Sequence, residues 1–373
     1  MIQRWLVVAA VGLLAVATIT GIALLFGYQP DAPRESVLAI EERWGWLRRL
    51  HHASSGGLLV ALLALLVARF WHKEFGAAWL AGLVCLGLAL SFQLTGHALP
   101  WDAHAESTTA TEIGIVSEMP VVGGLKARFL QGGEEFGDHT VQVWYRFHAV
   151  WLPLISVLFL AYLARRAKPN LDWQGAVVAI LLLALFSIKP LSVGDSLSDS
   201  PGYYAQPEWY VLPLHALYRL TGGGMIYWLA ILGCLAFLVA LPAFAHRIHR
   251  AVWSLVALAV LGSMSAICIW AIQPAPRQSK DPPAVLTKDA SLAEQGQRLY
   301  AQHRCSRCHA IEGQGSRRGP NLTKVGEKRP DRDWHVRHLQ NPSQVSPGST
   351  MPSFRRLPES ELRALAEYLV NLR

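Results

Sequence analysis

The sequence predicts an all-α protein: a polytopic transmembrane helical bundle of about seven spans, followed by a small soluble C-terminal domain. Three observations carry this. Of 373 residues, 52% are hydrophobic and only 16% charged, too apolar for a wholly soluble chain. Apolar runs long enough to cross about 30 Å of hydrocarbon recur through the first 272 residues. A proline-rich stretch, Gln273-Pro274-Ala275-Pro276 to Asp281-Pro282-Pro283, then separates them from a basic tail.

The runs are Trp5–Phe26, Leu50–Phe70, Ala77–Leu94, Val143–Leu163, Ala176–Ile188, Met225–Phe244 and Val252–Ile272. The fifth is short and reaches spanning length only with Trp173 and Lys189 at the interfaces. The first doubles as an insertion signal, with Arg4 before it and no convincing small-residue cleavage site. Arg69 with Lys73, Arg165-Arg166 with Lys168, and Arg247 with Arg250 all fall in loops on one side, which makes that side the inside. The N-terminus then lies inside, and seven crossings deliver the C-terminus outside.

Charge is unevenly placed. Of the net +8, residues 277–373 carry +7, from 17 Lys/Arg against 10 Asp/Glu. A basic outer domain suggests docking on an acidic redox partner or on anionic lipid headgroups; simple solubility charge is the alternative. Nucleic acid does not suit a domain tethered outside. Cys85, Cys234 and Cys268 lie within the apolar runs as small filler, so no disulfide framework is implied.

Cys305-Ser306-Arg307-Cys308-His309 carries its own chemistry. Two thiols three positions apart add to the vinyl groups of a haem, and the adjacent histidine becomes an iron ligand. This predicts one covalent haem c, electron transfer as the function, and the periplasmic side of a bacterial inner membrane. Gly319-Pro320-Asn321-Leu322, then Met351-Pro352, then an amphipathic helix through Leu362, Leu365, Tyr368 and Leu369 follow in order. Over residues 291–373 this resembles a class I cytochrome c domain, with His309 and Met351 as the implied axial ligands.

Histidines inside a membrane are rare and usually functional. His51 and His52 lie at the outer end of the second span and His148 near the outer end of the fourth, so imidazoles from two helices can hold one haem b. Trp44-Gly45-Trp46-Leu47-Arg48-Arg49-Leu50-His51-His52, Thr95-Gly96-His97-Ala98-Leu99-Pro100-Trp101-Asp102, Pro120-Val121-Val122-Gly123, Phe147-His148-Ala149-Val150-Trp151-Leu152-Pro153 and Pro207-Glu208-Trp209-Tyr210 are also present. Together they resemble cytochrome b of the Rieske/cytochrome b complexes, nearest the photosynthetic type with its subunit IV fused on. Counting from Gly45-Trp46, the resemblance implies His52 and His148 as haem b ligands, with Arg48 and Arg49 as candidates for its propionates. It also implies an outer quinol-oxidation site containing Glu208 and Tyr210, with Glu208 taking a proton from quinol. A carboxylate at the edge of a low-dielectric pocket suits that task.

One departure matters more than the matches. The family carries a second histidine pair about four turns further along the same helices. Fourteen residues beyond His52, about 21 Å of helix rise, stands Leu66. The fourth span has Tyr162 and Leu163 there, and a lone tyrosine is a weak substitute. The expectation is therefore one haem b on the outer side and one haem c. Residues 1–168 form the haem-binding region, 169–272 a subunit IV-like region, 273–290 the linker and 291–373 the cytochrome c domain. The function expected is quinol oxidation with outward electron flow, as the membrane subunit of a quinol:cytochrome c oxidoreductase. A Rieske-type iron–sulfur subunit and a periplasmic redox partner are the expected partners, and the resemblance implies a homodimer. An alternative is an anchor wiring a periplasmic oxidoreductase to the quinone pool; another is a degenerate cytochrome b retained as a tether. His335 and His338, three apart, read as surface histidines rather than a metal pair.

Overall fold

The computed structural model describes residues 1–133, 136–164, 172–188, 191–196, 207–272, 291–303, 305–307, 309–312, 314–315, 320–346, 349, 351, 353–355 and 357–373. The linker 273–290, Cys308, Gly319, Pro352 and the basic residues Arg165, Arg166 and Lys168 lie outside the described residues, as do the side chains of Tyr162 and Leu163.

The N-terminal part is helical throughout. α1 (Ile2–Leu25) is apolar around its whole circumference. α2 (Pro33–His72) opens with proline in its first turn, where the missing N–H has no partner to lose. Its backbone leaves helical geometry at Trp44 (φ −136°, ψ 32°), which separates a polar lead-in from the apolar span. It stops on Lys73 in the left-handed region, φ 58°. α3 (Ala77–His97) returns across the bundle.

α4 (Ala103–Ser117) and α5 (Gly123–Gln131) follow as non-spanning helices. Asp102 caps α4: one carboxylate oxygen accepts from the Ala105 N–H at 3.0 Å and the other from the Gly194 N–H at 2.8 Å. A single buried carboxylate thus ties a distant loop to the start of α4. The expected fourth span comes in three pieces: α6 (Asp138–Arg146), one turn of π-helix (Phe147–Trp151) and α7 (Leu152–Ala164). α8 (Trp173–Ser187) has the short length foreseen, and α9 (Leu212–Thr221), α10 (Gly224–Phe244) and α11 (Arg250–Ile272) complete the bundle. Among the described residues, α1, α2, α3, α10 and α11 are long and apolar enough to cross a membrane. The other two expected crossings are the segmented and the short helix.

α1, α2, α3 and α8 share a core built on Ala9, Leu13, Leu59, Leu62, Ala89 and Ala179. Small residues let these helices approach, as membrane helices require. A Cβ on Gly56 would stand 2.7 Å from the Phe186 ring, and one on Gly175 would stand 2.5 Å from Val8.

The C-terminal unit begins with α12 (Leu292–Gln302), whose first turn is closed by the reciprocal capping of Ser291 and Glu294. A short antiparallel pair, β1 (Ala310–Ile311) and β2 (Gln314–Gly315), sets Ala310 opposite Gly315. α13 (Val325–Lys328), α14 (Arg332–Gln340), α15 (Pro342–Val345) and α16 (Glu359–Val370) follow. α12 crosses α16 at Gly296, where any Cβ would run into the Ala364 carbonyl, and Tyr300 meets Tyr368 edge-on at 5.6 Å. Leu299, Leu339, Leu362, Leu365 and Leu369 fill the core, with Cys305 and Met351 packed against it.

Candidate functional site

Two imidazoles face one another inside the bundle. His51 on α2 and His148 in the π-helical turn have ring centroids 6.1 Å apart, nearly perpendicular at 78°. A π turn inserts an extra residue and re-aims the side chains around it, a device common at functional sites. Nδ1–H of His51 donates to the Ala17 carbonyl at 2.9 Å and lies 3.1 Å from Thr20 Oγ1. Nδ1 of His148 lies 3.0 Å from Thr95 Oγ1, whose own proton goes to the Ser91 carbonyl. With Nδ1 engaged on both rings, Nε2 is the nitrogen available to a metal.

These residues fit a haem: His51 and His148 would hold it through their ring nitrogens. The 6.1 Å between ring centres leaves space for an iron ion between the two imidazoles. Behind each ring sits a glycine: a Cβ on Gly21 would be 3.0 Å from His51 Cε1, and one on Gly96 would be 2.8 Å from His148 Cε1. Larger residues there would push the rings out of place.

The sequence pointed to His52, whereas the histidine that faces His148 in the structure is His51. His52 is exposed, because neighbouring residues on a helix point about 100° apart and only one can face His148. The partners on α1, Ala17 and Thr20, select His51. Counting from Gly45-Trp46 could not register that choice, since it carries no information about α1. Arg48 and Arg49 stand as expected at this end of α2, but both are turned to Glu41, at 2.8 and 3.4 Å.

A second cluster surrounds Glu208. Its Oε1 lies 3.0 Å from His104 Nε2. Tyr210 places its hydroxyl 3.3 Å from His97 Nδ1, and His97 Nε2 lies 3.5 Å from Glu112 Oε1. Burial first, then the charge of Glu208, raise the Glu112 carboxyl well above the usual carboxylate range. Burial likewise pushes the Tyr210 hydroxyl up, so it stays protonated. Of this cluster, Glu208 and Tyr210 were expected from the sequence, and His97, His104 and Glu112 were not. The signal available was three ionisable residues, in the end of α3 and in α4, within or just after the Thr95–Asp102 stretch. The two clusters are neighbours, since Gly96 backs His148 and the next residue is His97.

The opposite end of α2 is filled by carbon. Leu65 and Leu66 are buried; these positions lie 14 and 15 residues beyond His51. Leu66 packs with Trp79, Leu241 and Trp253, and a Cβ on Gly82 would stand 2.9 Å from it. Phe70, Phe75, Trp79 and Trp253 form a ring cluster with centroids 4.7 to 6.5 Å apart. The indole N–H groups of Trp79 and Trp253 are tied to the carbonyls of Leu238 and Phe70. Among the described residues, this cluster is built of aliphatic and aromatic side chains.

In the C-terminal unit, His309 Nδ1–H donates to the Pro320 carbonyl at 2.9 Å, which again leaves Nε2 for a metal. Cys305 and Met351 border the same core. That donor set (thiol, imidazole, thioether) fits a covalently attached haem. His335 is not a surface residue as expected: it is 2% exposed, with Nε2 bonded to the Arg329 carbonyl. His338 stacks flat on Trp334 at 4.9 Å and lies 3.3 Å from Ser346 Oγ. No cluster of three or more metal-ligating side chains occurs among the described residues.

Comparison with known proteins agrees with both halves. The family described as cytochrome b/b6/petB matches residues 2–165, and the family described as cytochrome C oxidase, mono-heme subunit/FixO matches residues 313–368. The second match starts after the Cys305 to His309 motif and points to an oxidase-type monohaem domain. Cytochrome b6 of Synechococcus sp. (strain JA-3-3Ab) is 31% identical over 150 residues, 38% of this chain and 70% of the relative. Cytochrome b6 of Cyanidium caldarium is 31% identical over 151 residues, again 38% and 70%. Cytochrome b6 of Emiliania huxleyi is 29% identical over 163 residues, 41% and 76%. With facing histidines inside an apolar helical bundle and a c-type unit behind it, this membrane electron-transfer chain belongs to the cytochrome b/b6 family.

Proposed function

We propose that the chain oxidises quinol at the end of the bundle carrying His51, His148 and Glu208, and delivers the electrons to its own c-type domain. The adjacency of the facing histidines and the Glu208–His104 pair carries this reading. His51 and His148 hold one haem b, with Arg48 and Arg49 near its edge; Cys305, Cys308, His309 and Met351 hold one haem c. When bound, the b-type group supplies a one-electron carrier beside the quinol. Glu208 accepts a proton from a quinol hydroxyl at its carboxylate and passes it to His104 Nε2, 3.0 Å away. The filled end around Leu66 supports a single haem b.

The remaining assignments follow from this reading. The quinol end faces the periplasm of a bacterial inner membrane, with the N-terminus inside and the c-type domain outside. Residues 169–272 serve as the subunit IV-like part, residues 1–168 as the haem-binding part, and 273–290 as the tether to 291–373. A Rieske-type iron–sulfur subunit takes part in quinol oxidation, a periplasmic partner receives or donates electrons at the c-type domain, and the assembly is a homodimer in lipid.

The test is reduction of haem c by decylubiquinol in reconstituted membranes. Glu208→Gln should slow it by about 100-fold with both haem spectra unaltered; unchanged turnover sinks the reading. The filled second site favours one competitor, an anchor that connects a periplasmic oxidoreductase to quinone. A large periplasmic subunit in the purified complex, with indifference to Glu208→Gln, would carry that reading instead.

A further inference from the structure

The helices that precede the two facing histidines carry one short sequence twice: Thr20-Gly21-Ile22-Ala23-Leu24 in the last turns of α1, and Thr95-Gly96-His97-Ala98-Leu99 across the end of α3. Each copy seats one imidazole. Gly21 lies against His51 and Gly96 against His148, so the glycine gives each ring its room. The threonine before it turns its hydroxyl to Nδ1, at 3.1 Å for His51 and 3.0 Å for His148. Both hydroxyls donate their single proton to the carbonyl four residues back, Val16 at 2.7 Å and Ser91 at 2.8 Å, so each oxygen meets the ring as an acceptor. The carbonyl three residues before the threonine shares each Nδ1–H: Ala17 for His51 and Phe92 for His148. Such three-centre bonds are common. Packing alone does not ask for a hydroxyl at these positions, because valine would fill nearly the same volume.

We propose that Thr20 and Thr95 are paired positioning residues of the b-type site, each hydroxyl fixing the tautomer and aim of one imidazole, and together setting the reduction potential of the haem held there. This rests on the reading that His51 and His148 hold haem b. An acceptor at Nδ1–H draws that proton outward and makes Nε2 the stronger electron donor. A stronger donor favours the ferric state, so each hydroxyl lowers the midpoint. The repeat makes the two contributions alike: α1 does for His51 on α2 what α3 does for His148 in the fourth span. A hydrogen bond of ordinary net strength is a factor of about five in an equilibrium constant. At 59 mV per tenfold for one electron, that factor is about 40 mV.

The experiment uses the full-length, haem-loaded chain and follows the b-type band in a redox titration, with the c-type band counting the protein. Thr20→Val and Thr95→Val should each raise the b-type midpoint by about 40 mV, and the double variant by about twice as much. Thr20→Ser and Thr95→Ser keep the oxygen and lose the methyl, and should stay at the wild-type value. The low-spin EPR signal of haem b reports the angle between the imidazole planes, 78° here, and should move in the valine variants alone. A packing role gives the opposite pattern, wild-type midpoints with valine and shifted ones with serine, and overturns the proposal; unchanged midpoints in both valine variants overturn it too. If a valine variant loses haem b altogether, its serine counterpart decides: wild-type occupancy and midpoint support the hydroxyl's role, and loss there as well overturns it. Retention of haem b in His51→Leu overturns the site reading and this proposal together.

Discussion

Gly96→Ala tests the facing-histidine site without touching a ligand. The added Cβ would stand 2.8 Å from His148 Cε1 and 3.3 Å from Nδ1. Carbon atoms at optimal contact are about 3.5–4.0 Å apart, so the ring must retreat by most of an ångström. Thr95 holds the ring at Nδ1 and Phe92 lies edge-on at 5.5 Å, which leaves little room for that retreat. Overpacking of this kind costs about 1–3 kcal/mol, a loss of about 5-fold to 150-fold in affinity for the b-type group. The c-type haem is covalent and counts the protein, so pyridine haemochrome spectra give the b-to-c ratio directly. A ratio well below the wild-type value is expected, together with a shifted b-type midpoint potential. Full occupancy with an unchanged midpoint would refute the placement of His148 against Gly96.

His51→Leu should abolish b-type absorbance while His52→Leu retains it, with the c-type band constant in both; the reverse pattern would return the ligand role to His52. Leu66→Ala opens the aromatic-lined end and should cost about 2–5 kcal/mol, read as a lower Tm in detergent. The b-to-c ratio, expected near one in wild type, should not change in that variant.

Much of this arrangement can be read from the residues. The apolar runs predict α1, α2, α3, α10 and α11, because length and composition alone decide whether a helix can span. The Cys-x-x-Cys-His motif fixes chemistry by its covalent spacing. What escapes is information held between elements. Choosing between His51 and His52 depends on Ala17 and Thr20, more than thirty residues earlier. The π turn at His148 leaves no mark in hydrophobic periodicity, so the fourth span reads as continuous when it is three pieces. His97 and Glu112 lie 15 positions apart and look unremarkable until α3 and α4 bring them to 3.5 Å. His335 looked like a surface residue because its neighbours in sequence are charged, whereas the Arg329 carbonyl draws it inward.

If the chain holds one haem b, as proposed, the packed end around Leu66 is an electrical insulator. Moving one elementary charge across a membrane potential of about 100 mV involves about 2.3 kcal/mol of work. On the proposed reading, with a single haem b at the His51–His148 end and leucine and tryptophan packed at the other, the chain does not perform that work on its electrons. That reading predicts a turnover indifferent to whether the membrane is energised: collapsing the potential with an ionophore should leave the rate unchanged.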